Sequence, residues 1–194
     1  NYIYCVLILT SVLSMITMTI IVKTNTTLDR TSRTWFRITF LGIALAMFAE
    51  FSRAFLDVHP LSPTLYKIIT LLEFSITPML PIPLSLACGV RKAAIPTTAI
   101  LGTHALLEII LVNFNLVFSV SENSIYKRGP FYIIYIISYV LSLLYLIMVF
   151  YFISRRFKNR HSIILIFSLI IIFAGIIPSL IDRNIKTAFL GMTF

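Results

Sequence analysis

The sequence predicts an all-α membrane protein, a bundle of six transmembrane helices plus the start of a truncated seventh. Three observations predict it. First, the 194 residues are 59% hydrophobic and only 12% charged, with mean hydropathy +0.98. A soluble domain is usually about half apolar and about a quarter charged. This chain therefore has too little polar surface to cover a water-soluble globule, a requirement that a bilayer removes. Second, apolar runs of about 20 residues, the length that crosses about 30 Å of hydrocarbon, recur six times. Third, the connections between them are short and polar, as between antiparallel neighbours in a bundle.

The expected spans are 3–22, 35–56, 65–90, 94–117, 131–153 and 162–181. The first carries no charge. It also lacks the basic leader and small-residue cleavage site of a signal peptide, so it reads as a helix of the bundle. After the sixth span, residues 187–194 open another apolar run. Eight residues rise only about 12 Å, so this run reads as a seventh span cut short. The whole of 1–194 is then one transmembrane domain. No internal repeat and no strand alternation of the β-barrel kind interrupts it.

Lys and Arg set the orientation. Lys23, Arg30, Arg33, Arg37, Arg91, Lys92, Arg155, Arg156, Lys158 and Arg160 fall on one side, ten in all. Lys127, Arg128, Arg183 and Lys186 fall on the other, or six residues if Arg53 and Lys67 are included. The N-terminus is thus expected outside and the odd loops in the cytoplasm. The net charge of +9 follows this loop pattern, with no long basic face for nucleic acid. Residues 155–161, RRFKNRH, read as an anchor near anionic lipid. Cys5 and Cys88 would lie near opposite faces and form neither a disulfide framework nor a metal spacing.

Ionisable groups at bilayer depth are costly unless paired or facing a cavity. Glu50, Arg53 and Asp57 share a helix face, and so do His104 and Glu108. Glu73 enters on the third span. Rise per residue places these groups mostly in the outer half. Two readings stand. Glu50, Arg53, Glu73, His104 and Glu108 line a polar cavity, open to the outside, for a small polar ligand or ion. Alternatively, Arg53 neutralises Glu50 and His104 bonds Glu108, and the groups only lock helix packing. One His and one Glu are too few for a metal site, so none is expected. No catalytic constellation or phosphate-cradling loop is present, and neither a catalytic residue nor a cofactor is expected.

Pro78, Pro81 and Pro83 fall within six residues of the third span and should kink or break it. A hinge there is one reading, and static packing is the other. Tyr132, Tyr135 and Tyr139 share a face of the fifth span. Tyr126 and Tyr132 fit an interfacial aromatic belt.

Two stretches carry a family resemblance: YKRGPFYIIYIISYVLSLLYLIMVFYFISRRFKNR over 126–160 and RTWFRITFLGIALAMFAEFSRAF over 33–55. With the span order, the chain resembles the N-terminal seven-helix membrane region of bacterial diguanylate cyclases (GGDEF proteins) and histidine kinases. The resemblance covers essentially the whole chain and rests on helix pattern more than on specific motifs. It implies a sensory module in the bacterial plasma membrane, a homodimer, and a cytoplasmic enzymatic output domain beyond residue 194. The rival is a small six-helix transporter or an importer's substrate-binding subunit. The first span lacks the alanine-spaced docking motif that such a subunit should carry.

Overall fold

The computed structural model describes residues 2–59, 61–122 and 125–156. The expected sixth span at 162–181, the partial seventh at 187–194 and most of the basic run 155–161 lie outside the described residues.

Six α-helices and one β-hairpin make up this part. They are α1 (Tyr2–Thr24), α2 (Arg30–Val58), α3 (Pro63–Ile76), α4 (Pro81–Ala87), α5 (Ala94–Asn113) and α6 (Tyr132–Arg156), with strands β1 (Phe118–Val120) and β2 (Tyr126–Arg128). A 3-10 turn, Thr77–Met79, joins α3 to α4. Taking α3 through α4 as one stretch, five helical stretches are long and apolar enough to cross a membrane.

The helix starts follow local chemistry. Asp29 caps α2 by accepting hydrogen bonds from the N–H groups of Thr31 and Ser32 at 3.1 and 3.0 Å. Helix α2 therefore begins five residues before the expected span. Ser62 caps α3, and Pro63 fills its first turn, where a missing N–H costs nothing. Inside the apolar helices, Thr10, Thr17, Thr19 and Thr70 donate to carbonyls one turn back, so their hydroxyls need no outside partner.

Helix α2 runs antiparallel to α3 and α4. The register is fixed by Asp57 beside Tyr66, Arg53 beside Glu73, and Gly42 under Leu80. A Cβ on Gly42 would sit 3.0 Å from a Leu80 methyl, so the glycine permits this close crossing. Helix α6 packs on α4, α5 and the 3-10 turn. The Tyr145 hydroxyl donates to Ser85 Oγ at 2.6 Å and ties α6 to α4.

Two sequence expectations change. The span expected at 94–117 ends as a helix at Asn113. Asn115 then takes φ 56°, a left-handed position that asparagine tolerates, and turns the chain into β1. Strands β1 and β2 pair antiparallel, with Phe118 opposite Arg128 and Val120 opposite Tyr126. Tyr126, expected in an interfacial belt, is instead buried in this hairpin. It stacks on Phe118 at 5.6 Å and lies 6.3 Å from Tyr66. The span expected at 65–90 is interrupted where its prolines cluster: regular α-helix stops at Ile76 and resumes at Pro81.

Burial is inverted relative to a water-soluble protein. Val58, Ile95, Leu106 and Phe114 are more than 60% exposed, and many Ile, Leu and Phe side chains face outward with them. Glu50, Glu73, His104, Glu108, Thr70, Thr77 and Ser85 are buried.

Candidate functional site

Three helices bring the sequence-selected ionisable groups into the interior. Helix α2 supplies Glu50 and Arg53, α3 supplies Glu73, and α5 supplies His104 and Glu108. Arg53 Nε lies 3.0 Å from Glu73 Oε2, with both side chains largely buried. The contact is an ion pair by distance, not an aligned hydrogen bond. Arg53 thus reaches across to Glu73 on α3, with Glu50 its neighbour one turn back on α2. Glu50 remains within its electrostatic field, as do Tyr66 and Tyr135.

His104 and Glu108 form a second pair on α5, with Nε2 and Oε1 3.6 Å apart. That separation is too long for a hydrogen bond. Both oxygens of Glu108 are buried without a hydrogen-bond partner, and the His104 ring lies close to the Phe74 backbone. Glu108 has no exposure at all. The bond expected between these two side chains is therefore a close approach only.

An aromatic column joins the two pairs. The rings of Phe74 and Tyr135 stack at 4.0 Å, and Tyr135 lies 6.5 Å from the His104 ring. Tyr135 also feels the charges of Glu73 and Arg53, and Tyr139 those of Glu50 and Glu73. Four of the five sequence-selected residues thus form two pairs linked through Tyr135, and Glu50 lies in the field of Arg53. Three carboxyl groups share this interior with one guanidinium and one imidazole. Such a set favours a cationic or proton-donating guest over an anion.

At the hairpin end, the Tyr66 hydroxyl donates to Asp57 Oδ1 at 2.7 Å. Lys67 Nζ donates to Asn115 Oδ1 at 3.0 Å. Asp57 and Lys67 were visible in the sequence as charges near span ends, but their partners were not. Among the described residues no group of three His, Cys, Asp or Glu side chains comes together as a metal site would require.

The three prolines sit at the helix break. Pro78 lies within the 3-10 turn, Pro81 opens α4, and Pro83 follows in its first turn. Beside the break is a cavity of about 180 Å³ between α2, the turn, α4 and α6. None of the five ionisable residues lines it. Tyr139 does, and it also feels the charges of Glu50 and Glu73. Thr39, Thr77 and Ser142 are among the residues of its otherwise largely apolar lining. Sequence reading passed over these three because a lone Thr or Ser in an apolar run ordinarily bonds its own helix, as Thr39 does to the Trp35 carbonyl.

In comparisons with known proteins, no family model, curated protein or solved structure matches the chain.

Proposed function

We propose that the chain is the sensory input module of a bacterial signalling protein, embedded in the plasma membrane with its N-terminus outside. The observation that carries the reading is the buried charge cluster around Arg53 and Glu73, which straddles α2 and α3 three residues before regular helix stops at Ile76. A surface of Ile, Leu and Phe side chains supports membrane embedding. Buried carboxyl groups in such a setting are functional-site candidates by default.

In this reading a small polar ligand enters from outside and competes for the Arg53, Glu73 and Glu50 side chains. It acts only through different affinity for two helix packings. The proline-rich break between α3 and α4 is the hinge that separates those packings. Output passes to a cytoplasmic enzyme domain, a diguanylate cyclase or histidine kinase, as the family resemblance implies. A homodimer is part of the same implication.

The reading frame beyond Phe194 tests this directly. An in-frame GGDEF or kinase domain, whose output changes with Glu73→Gln, supports the sensory reading. A stop codon soon after Phe194 removes it. Orientation is checked with an impermeant thiol reagent on Lys127→Cys in the hairpin, which should label from outside in intact cells.

One observation favours a second reading. A helix interrupted beside a cavity is also the construction of small transporters, whose sites lie at discontinuous helices. Substrate flux in proteoliposomes that needs no downstream domain would support transport.

A further inference from the structure

The ligand reading built on Arg53, Glu73 and Glu50 makes no use of the second pair, His104 and Glu108. Glu108 stands five residues before the end of α5, has no exposure, and has no hydrogen-bond partner on either carboxyl oxygen. His104, also buried, brings its Nε2 to 3.6 Å from Oε1.

No fixed cation stands ready to balance a charge on Glu108. The sequence has no Lys or Arg between Lys92 and Lys127. Helix α5 packs against α3, the 3-10 turn, α4 and α6. The turn and α4 contain no ionisable residue. On α3, Lys67 gives its ammonium to Asn115, Tyr66 donates to Asp57, and Glu73 is held by Arg53. On α6, Tyr135 lies 6.5 Å from the His104 ring, with Tyr132 and Tyr139 flanking it. Tyr145 is bonded to Ser85, Tyr151 lies under Arg155, and Arg156 ends the helix. An ionised Glu108 would therefore lack water, hydrogen bonds and an Arg or Lys partner. A buried group so placed neutralises instead.

What neutralises it must also fit. A carboxyl group with no accessible surface has no room beside it for an organic guest or a hydrated metal ion. Among the described residues no third metal-ligating side chain joins the pair. A proton needs no cavity. The partner selects the same species, because a neutral imidazole nitrogen accepts a hydrogen bond from a carboxylic acid.

We propose that His104 and Glu108 form a proton-binding site within the helix bundle, the proton being carried as the Glu108 acid O–H beside His104 Nε2. The imidazole keeps its own proton on Nδ1. Uptake forms the Glu108 O–H bond with a proton drawn from water and leaves the pair uncharged. Release breaks that bond, returns the proton to water and leaves one negative charge. In the packed bundle nothing balances that charge, so release waits until α5 parts from α3 and α6 and water reaches the carboxyl. The proton thus favours the closed packing over the open one. The site stands under the sensory and the transport reading alike.

Infrared spectra of the full chain in nanodiscs at neutral pH test this. The expected result is a carboxylic-acid C=O band in the wild type that is missing from Glu108→Gln. Glu50→Gln and Glu73→Gln should both keep it, which assigns the band by elimination should Glu108→Gln not fold. His104→Phe should keep the acid and move its band, since the O–H loses its acceptor. Transfer to D2O should shift the band slowly, at the pace of helix opening. A wild type without the acid band overturns the proposal, because the pair is then an imidazolium–carboxylate ion pair. So does a band that survives in folded Glu108→Gln. A shift complete on mixing with D2O overturns the coupling of release to packing.

Discussion

Tyr145 and Ser85, sixty residues apart in sequence, share a buried hydrogen bond of 2.6 Å that holds α4 against α6 just past the helix break. Ser85 Oγ donates in turn to the Ile82 carbonyl at 2.7 Å, so its hydroxyl both accepts and donates. Tyr145→Phe leaves the Ser85 donor bond intact and should cost about 1 kcal/mol. Ser85→Ala strands the Tyr145 hydroxyl and frees the Ile82 carbonyl, and should cost more, about 1–3 kcal/mol. Thermal unfolding of both variants in one detergent checks the order.

The Arg53–Glu73 pair should show the asymmetry of buried charges. Arg53→Met leaves Glu73 and Glu50 without their cation and should destabilise by about 3–5 kcal/mol. Glu73→Gln should cost less, because Arg53 keeps the field of Glu50. The double variant Arg53→Met with Glu73→Met should recover much of the single loss. A double-mutant cycle on unfolding midpoints measures the coupling, and simple additivity would argue against the pair.

Asp29 gives a pH dependence with a definite sign. Hydrogen bonds from the Ser32 hydroxyl, the Ser32 N–H and the Thr31 N–H hold its carboxyl below the usual carboxylate value. The folded form therefore binds its proton less readily than the unfolded chain. The contribution of the cap is fully present above pH 3.8, the ordinary value, and fades as pH falls through the depressed one. Asp29→Asn should keep the cap and flatten this acid limb, whereas Asp29→Ala should lose the cap at every pH. Unfolding midpoints between pH 3 and 6 separate the two.

Gly129 and Gly102 should respond oppositely to alanine. A Cβ on Gly129 would fall 2.6 Å from the Leu116 carbonyl carbon and 2.9 Å from that of Val117, both backbone. Gly129 also donates its N–H to the Val117 carbonyl at 2.8 Å, fixing it against the start of the hairpin. Gly129→Ala should cost about 1–3 kcal/mol or more. Gly102, inside α5, has nothing within 4 Å of its Cβ position, so Gly102→Ala should gain about 0.5–1 kcal/mol from helix propensity. Paired melts of the two variants test this.

Helix positions were legible because hydropathy largely sets them, and α1, α2, α5 and α6 begin within five residues of the expected spans. The hairpin was not. Its strands have three residues each, and Val117-Phe118 reads as more of the preceding apolar run. Asn115 was the signal, a residue suited to a left-handed stop. In the candidate site, the ionisable residues could be selected because charge in an apolar run stands out. Their pairing could not be read. Sequence spacing sets Glu50 one turn from Arg53, but that Glu73 meets Arg53 depends on the register of α2 against α3, and register between helices is a tertiary quantity. Thr77 was invisible for a related reason: whether a buried hydroxyl is spent on its own helix depends on a side-chain direction.

The outward-facing apolar side chains bear on how much of this sequence specifies anything. Where Ile95, Leu106 and Phe114 face the surroundings, nearly any apolar letter serves equally well. The choice of neighbour for each helix is carried by a few letters at helix contacts: Glu73, Ser85, Tyr145, Gly42 and Asp57 among them. The architecture is thus written in a small alphabet of polar and small residues inside a long, degenerate apolar text. Two chains with this fold could drift until little of their lettering agreed while those few positions kept the same helices side by side.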